Sequence, residues 1–125
     1  MRLLRCRALH LSMFGAMVFT LPALAAVDEK LKPSDIQAIF AVGKPFTATA
    51  PSGKIVTITL NPDGSATVAA KGKKKGTKGK WRVSDNGYCS IWGKGVENCY
   101  TIRKAGKRYE VVNQHGILVA NWNAP

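Results

Sequence analysis

The chain has 125 residues, with 19 Lys and Arg against 7 Asp and Glu, for a formal net charge of +12. So basic a surface attracts polyanions unselectively and carries no information about fold. The length allows one domain and excludes a multidomain assembly.

The first residues have the three zones of an export signal. Arg2, Arg5 and Arg7 form a positive n-region. Ala8 to Leu21 is apolar apart from His10, Ser12, Gly15 and Thr20, and Pro22 precedes the small-x-small pattern Ala23-Leu24-Ala25. The apolar run is shorter than the roughly 20 residues that span a bilayer. Cys6 lies before that run rather than just after it, which argues against a lipoprotein. The expectation is a cleavable secretory signal peptide over 1–25, cut after Ala25 or, failing that, Ala26. The mature chain is then periplasmic or secreted, from a Gram-negative bacterium, with no stable membrane anchor.

Cleavage leaves 100 residues with a net charge of +9 and two cysteines, Cys89 and Cys99. A domain this small buries roughly 60–70% of its unfolded surface, so a covalent staple helps it. An even cysteine pair in an oxidising compartment predicts a disulfide rather than a metal site or a reactive thiol.

Residues 26–43 read as a lead-in and one short helix. Pro33 marks where the helix begins, Ser34 is the expected N-cap, and Asp35 complements the helix dipole. Ile36, Ile39 and Phe40 recur at helical spacing and form one apolar face. Gly43 is placed to end the helix.

From residue 44 to 125 the period changes to two. After Pro45–Ala50, the segment Lys54–Asn61 alternates, with Val56, Ile58 and Leu60 on one face and Thr57 and Thr59 on the other. Asn61-Pro62-Asp63-Gly64 is a turn, since Pro presets φ and Gly accepts a positive one. Ser65–Ala70 follows. Next come Lys80–Asp85 and the hairpin dipeptide Asn86-Gly87, then Tyr88–Trp92, Asn98–Lys104, Arg108–Asn113 and Ile117–Asn123. No connection is long enough for a crossover helix, so neighbours pair antiparallel. The predicted fold is mainly β, an up-and-down meander of about eight strands curled into a small barrel or half-barrel, with one short N-terminal helix. If Gly93-Lys94-Gly95 is a hairpin loop, Cys89 comes to face Cys99 at a distance a disulfide can bridge.

The stretch from Gly79 to Gly116, GKWRVSDNGYCSIWGKGVENCYTIRKAGKRYEVVNQHG, pairs a Trp-x-Val strand with a Cys near an aromatic tip and a later Cys-Tyr. On Trp81, Cys89, Trp92, Cys99 and Tyr100 it resembles a group of short exported proteobacterial proteins, the family catalogued as domain of unknown function 995. The lysine-rich run before this stretch is not part of the resemblance. The family is defined by sequence, so the resemblance implies an exported protein and no particular activity.

Two candidate sites emerge. Lys71, Lys73, Lys74, Lys75, Lys78 and Lys80 are expected in a mobile, strongly positive loop. It suits phosphate-rich partners, either lipopolysaccharide or anionic envelope lipid, although charge runs in loops are commonly just solvated. Nucleic acid is the weaker partner, because the run contains neither stacking aromatics nor arginine forks. The second candidate is an aromatic-lined cavity for a small apolar ligand built from Trp81, Trp92, Tyr100 and Tyr109, against the plainer alternative that these residues fill the core.

Catalysis finds little material. His115 sits in a turn, and no paired carboxylates, serine elbow or metal-ligand spacing appears. The expectation is a binding or interaction module without catalytic residues, metal or cofactor. Its alternatives are a small-ligand carrier or an inhibitor of a periplasmic hydrolase. Oligomeric state is not legible from the sequence.

Overall fold

The computed structural model describes residues 15–19 and 29–125. Of the export signal expected over 1–25, only 15–19 fall within that range, exposed and without regular secondary structure. The positive n-region and the cleavage position lie outside the described residues. Among the described residues, no helix is long and apolar enough to cross a membrane.

Among the described residues, nine strands and one helix follow in order: β1 (Glu29–Lys30), α1 (Pro33–Phe40), β2 (Phe46–Thr49), β3 (Ile55–Leu60), β4 (Ser65–Ala70), β5 (Thr77–Ser84), β6 (Gly87–Trp92), β7 (Asn98–Ala105), β8 (Arg108–Val112) and β9 (Leu118–Asn123). From β2 to β9 each strand pairs antiparallel with the next. β2 also pairs with β9 through Thr47–Asn123, Ala48–Trp122 and Thr49–Asn121. That last ladder closes the sheet into an eight-stranded barrel rather than a half-barrel. Closure removes the free edges that an open meander would present to other chains.

β1 is an addition to the expected eight strands. The β6–β7 ladder runs from Tyr88–Tyr100 to Ser90–Asn98 and leaves the C-terminal half of β7 without a partner on that side. β1 pairs with this half through Glu29–Lys104 and Lys30–Arg103, and Leu31 N–H donates to Ile102 O at 2.8 Å. The lead-in is thereby stitched to the barrel wall just before the helix begins.

The helix starts two residues earlier than a cap at Ser34 implies. Its N-cap is Lys32, with extended backbone, and Pro33 occupies the first helical position, where its missing N–H costs nothing. Asp35 reaches back to accept from Lys32 N–H at 3.2 Å. Ser34, the predicted cap, is instead an exposed helical residue. Ile36 and Phe40 point into the barrel and are fully buried. Phe40 packs edge-on against Phe46, Tyr109 and Trp122, with every ring centroid 5.0 Å away, and Phe46 meets Trp122 at 4.8 Å. Leu31, Leu60, Ala66, Trp81, Ile102 and Val111 complete the core. The helix plugs one end of the barrel, referred to below as the helix end.

One turn is built differently from its sequence signal and another follows it. The β5–β6 hairpin pairs Ser84 with Gly87, so its turn residues are Asp85-Asn86 rather than Asn86-Gly87. Gly87 does not have a positive φ; it is a strand residue where a Cβ would collide with the Tyr100 carbonyl. Its value is close approach to β7, not turn freedom. The 61–64 turn does use its glycine, with Gly64 at φ 91° and Ser65 donating to Asp63 through both its N–H and its hydroxyl.

Cys89 and Cys99 are directly opposed on β6 and β7 and form the expected disulfide, with Cα atoms 4.0 Å apart. Their neighbours Tyr88 and Tyr100 point inward, so the bridge lies on the outer wall of the barrel. A disulfide here fits an oxidising compartment.

Trp122 touches Phe40, Phe46 and Tyr88 at once while 1% exposed. Trp122→Ala is expected to destabilise the fold by about 3–5 kcal/mol. Urea unfolding followed by circular dichroism measures this, and a loss below about 1 kcal/mol would contradict the assigned core.

Candidate functional site

In an up-and-down barrel alternate connections emerge at the same end. Those opposite the helix are 50–54, 71–76, 93–97 and 113–117, and they form the mouth. They carry Lys54, Lys71, Lys73, Lys74, Lys75 and Lys94 against a single acid, Glu97. Glu97 is held by Arg82, whose Nη2 and Nε donate to it at 2.7 and 3.1 Å. That hydrogen bond, with the charge behind it, keeps the Glu97 carboxyl below its ordinary pKa. The β connections at the helix end, 61–64, 85–86 and 106–107, carry Asp63 and Asp85 against Lys107. Positive charge is therefore concentrated at one end of the barrel.

The predicted lysine loop proves to be two structures. Lys71, Lys73, Lys74 and Lys75 stand in the 71–76 connection, where Lys73 N–H donates to Ala70 O and closes a turn around Gly72 at φ 79°. Lys78 and Lys80 instead belong to β5, which begins at Thr77, three residues before the predicted strand. They pair with Thr67 and Ser65 on the outer wall. The sequence suggested a flexible run throughout because Lys and Gly are poor strand formers; pairing with β4 overrides that preference. All six lysines are exposed.

Inside the mouth is a cavity of about 300 Å³. Its walls are Val56, Val68, Val119 and Ala120 with Trp92 and Tyr100, and its floor is Tyr88 and Trp122. Beneath the floor lie Phe40 and Phe46. The space exists because Ala48, Ala50 and Ala120 occupy adjacent inward positions on the β2–β9 side. An eight-stranded barrel is just wide enough for its side chains to fill it, and alanines leave part of it vacant.

Of the four residues predicted to line a cavity, Trp92 and Tyr100 do so. Trp81 and Tyr109 are committed at the helix end. Trp81 is buried, and its indole N–H donates to Asn61 O at 2.8 Å. Tyr109 packs on Phe40. Burial raises the phenol pKa of both Tyr88 and Tyr100, which stack with ring centroids 5.5 Å apart. Both rings act as neutral walls at physiological pH.

Among the described residues, Lys54 is the one charged side chain lining this cavity, and the sequence reading passed over it. The signal was present. Lys54 shares parity with Val56, Ile58 and Leu60, so the same alternation that points those three inward points Lys54 into the mouth. The lysine can lay its methylene stem along the wall and keep its ammonium in water.

Two larger grooves lie on the outer wall. One, of about 560 Å³, runs over the disulfide between Lys30, Arg82, Asp85, Asn86 and Thr101. The other, of about 520 Å³, lies beside Asp63 and Trp81. Both are lined by charges of either sign, without the predominantly apolar lining that ligand sites use. Glu97 Oε1 lies 3.9 Å from Cys99 Sγ. Both sulfurs are spent in the disulfide, so this trio offers a metal one carboxylate and no thiolate.

Gly79 supports the cavity wall. It faces Trp92 across the β5–β6 ladder, and a Cβ there would sit 2.6 Å from Trp92 Cε3 and collide with the Ile91 carbonyl. Gly79→Ala is expected to displace the Trp92 ring and destabilise the protein by about 1–3 kcal/mol. The measurements are urea unfolding and the tryptophan emission maximum; an unchanged spectrum and midpoint would show that the wall does not depend on this contact.

No family model, curated protein or solved structure matches the chain, so its function has to be argued from the chemistry of the mouth itself.

Proposed function

We propose that this protein is a small exported binding module that presents the mouth of its barrel to an anionic component of the cell envelope, such as lipopolysaccharide or anionic lipid. The observation that carries the proposal is the segregation of charge. Six lysines surround the mouth, the lone glutamate there is neutralised by Arg82, and the opposite end mixes acids and bases. Solubility alone would be served by charge on any surface, whereas a face of one sign concentrates the field in one direction.

Exposed apolar tips on two mouth connections support a lipid surface as the partner. Val96 is 77% and Ile117 60% exposed, on connections 93–97 and 113–117. Apolar side chains beside lysines match the layered chemistry of an anionic bilayer, with charged head groups above hydrocarbon. The disulfide suits the same compartment. The role proposed is one of binding rather than catalysis.

Each basic residue near an anionic membrane surface contributes about 1 kcal/mol. Replacing Lys73, Lys74 and Lys75 with Gln should therefore weaken retention on anionic vesicles by about 3 kcal/mol, on the order of a hundredfold. The wild type should bind anionic vesicles and lipopolysaccharide, release as salt is raised, and ignore zwitterionic vesicles. Equal retention on both vesicle types, or an unaltered triple variant, would overturn the proposal.

A further inference from the structure

The mouth sets two chemistries side by side: an apolar cavity with one way in, and a cation at its rim. Resting on the binding role above and naming its ligand, we propose that the cavity takes a single-chain amphiphile with one anionic head group, its chain inside and its head at Lys54.

Trp122 and Tyr88 line the cavity's inner end, and Phe40 and Phe46 pack against Trp122 beneath, so the helix end offers a guest no passage and the mouth is the way in. From Lys54 at the rim to Ile58 near the floor is four residues of β3, about 13 Å at roughly 3.3 Å per residue. That length and a volume of about 300 Å³, at the small end of ligand sites, suit one slender chain and exclude a two-chain lipid. Every other lining residue is aliphatic or aromatic, and the tyrosine phenols stay neutral.

Charge complementarity selects the head group. Lys54 is exposed and stands above Val56 on the inward face. An anion attached to a chain within the cavity lies beside that ammonium, with the lysines of connection 71–76 on the same rim. A neutral apolar guest would gain the same burial but nothing from Lys54. A free anion would gain the ion pair only in water, where it is worth little. The amphiphile alone uses both parts of the site.

Decyl phosphate, 1-decanol and inorganic phosphate separate these cases, with binding to the purified protein read by calorimetry and by tryptophan emission, since Trp92 and Trp122 line the cavity. Decyl phosphate is expected to bind one per chain, about tenfold or more tighter than decanol. Each methylene removed from its chain should weaken it about three- to fourfold. Lys54→Gln should bring decyl phosphate down to the affinity of decanol and leave decanol unchanged. Val68→Phe, which narrows the cavity, should abolish both; where its circular dichroism departs from native, the Lys54→Gln comparison and the chain-length series decide instead.

Inorganic phosphate binding as tightly as decyl phosphate would overturn the proposal, as would decyl phosphate binding unaffected by a natively folded Val68→Phe variant. Vesicle retention separates this inference from the role it rests on. Retention on anionic vesicles without decyl phosphate binding removes the cavity ligand and keeps the surface role. Failure of both removes both.

Discussion

The packing of Phe40, Phe46, Tyr109 and Trp122 against one another decides which half of the barrel is solid and which is hollow. Four rings from one helix and three strands meet at the helix end, with Phe40 touching the other three. Aromatic pairs in tilted and edge-on contact add to the burial of their large surfaces, so this cluster carries much of what a chain this small can stabilise. Toward the other end the inward positions of β2, β3, β4 and β9 pass to alanine and valine, with Trp92 of β6 and Tyr100 of β7 as the remaining large walls, and the interior is no longer filled. The cavity is thus a consequence of where the chain places its bulky residues.

Closure gives that asymmetry a direction. An up-and-down barrel sends alternate connections to opposite ends, so a chain can give its two ends different chemistry simply by what it writes in every second loop. Here six lysines fall in the connections at the open end against one acid, the Arg82-bound Glu97, while the helix end mixes Lys32, Lys44 and Lys107 with Asp35, Asp63 and Asp85. The β6–β7 disulfide fixes two neighbouring strands next to one mouth connection, 93–97, and β1 secures the other half of β7. Wall, plug and rim are separate structural tasks carried by separate segments.

Much of the wall could be read from the chain alone. Alternation at Val56, Ile58 and Leu60, the 61–64 turn and the opposed cysteines each follow from local geometry, and each stands where its pattern put it. What was not legible depended on partners distant in sequence. The ladder from β2 to β9 that makes the barrel closed leaves no local mark, because Thr47, Ala48 and Thr49 would suit an edge strand equally well. Asn86-Gly87 looks like a turn because that pair usually is one; here the glycine is needed for the approach of Tyr100, and the turn moves back by a residue. Lys78 and Lys80 looked like loop because their strand character comes from β4 rather than from themselves. Lys54 was overlooked because a lysine at the head of a strand is ordinary, and only the vacancy beyond it makes its parity matter.

The central claim is that the open, lysine-ringed end of the barrel receives the ligand and the aromatic end does not. The most direct test is an NMR titration of the isotope-labelled protein with decyl phosphate, following every assigned amide and the three indole N–H signals. The account predicts shifts confined to the mouth and cavity, at Lys54, Val56, Val68, Val119 and the Trp92 indole, with Ile36, Leu60 and the Trp81 indole unmoved. Shifts centred on the outer groove beside Asp85 and Asn86, or spread evenly over the surface, would contradict it.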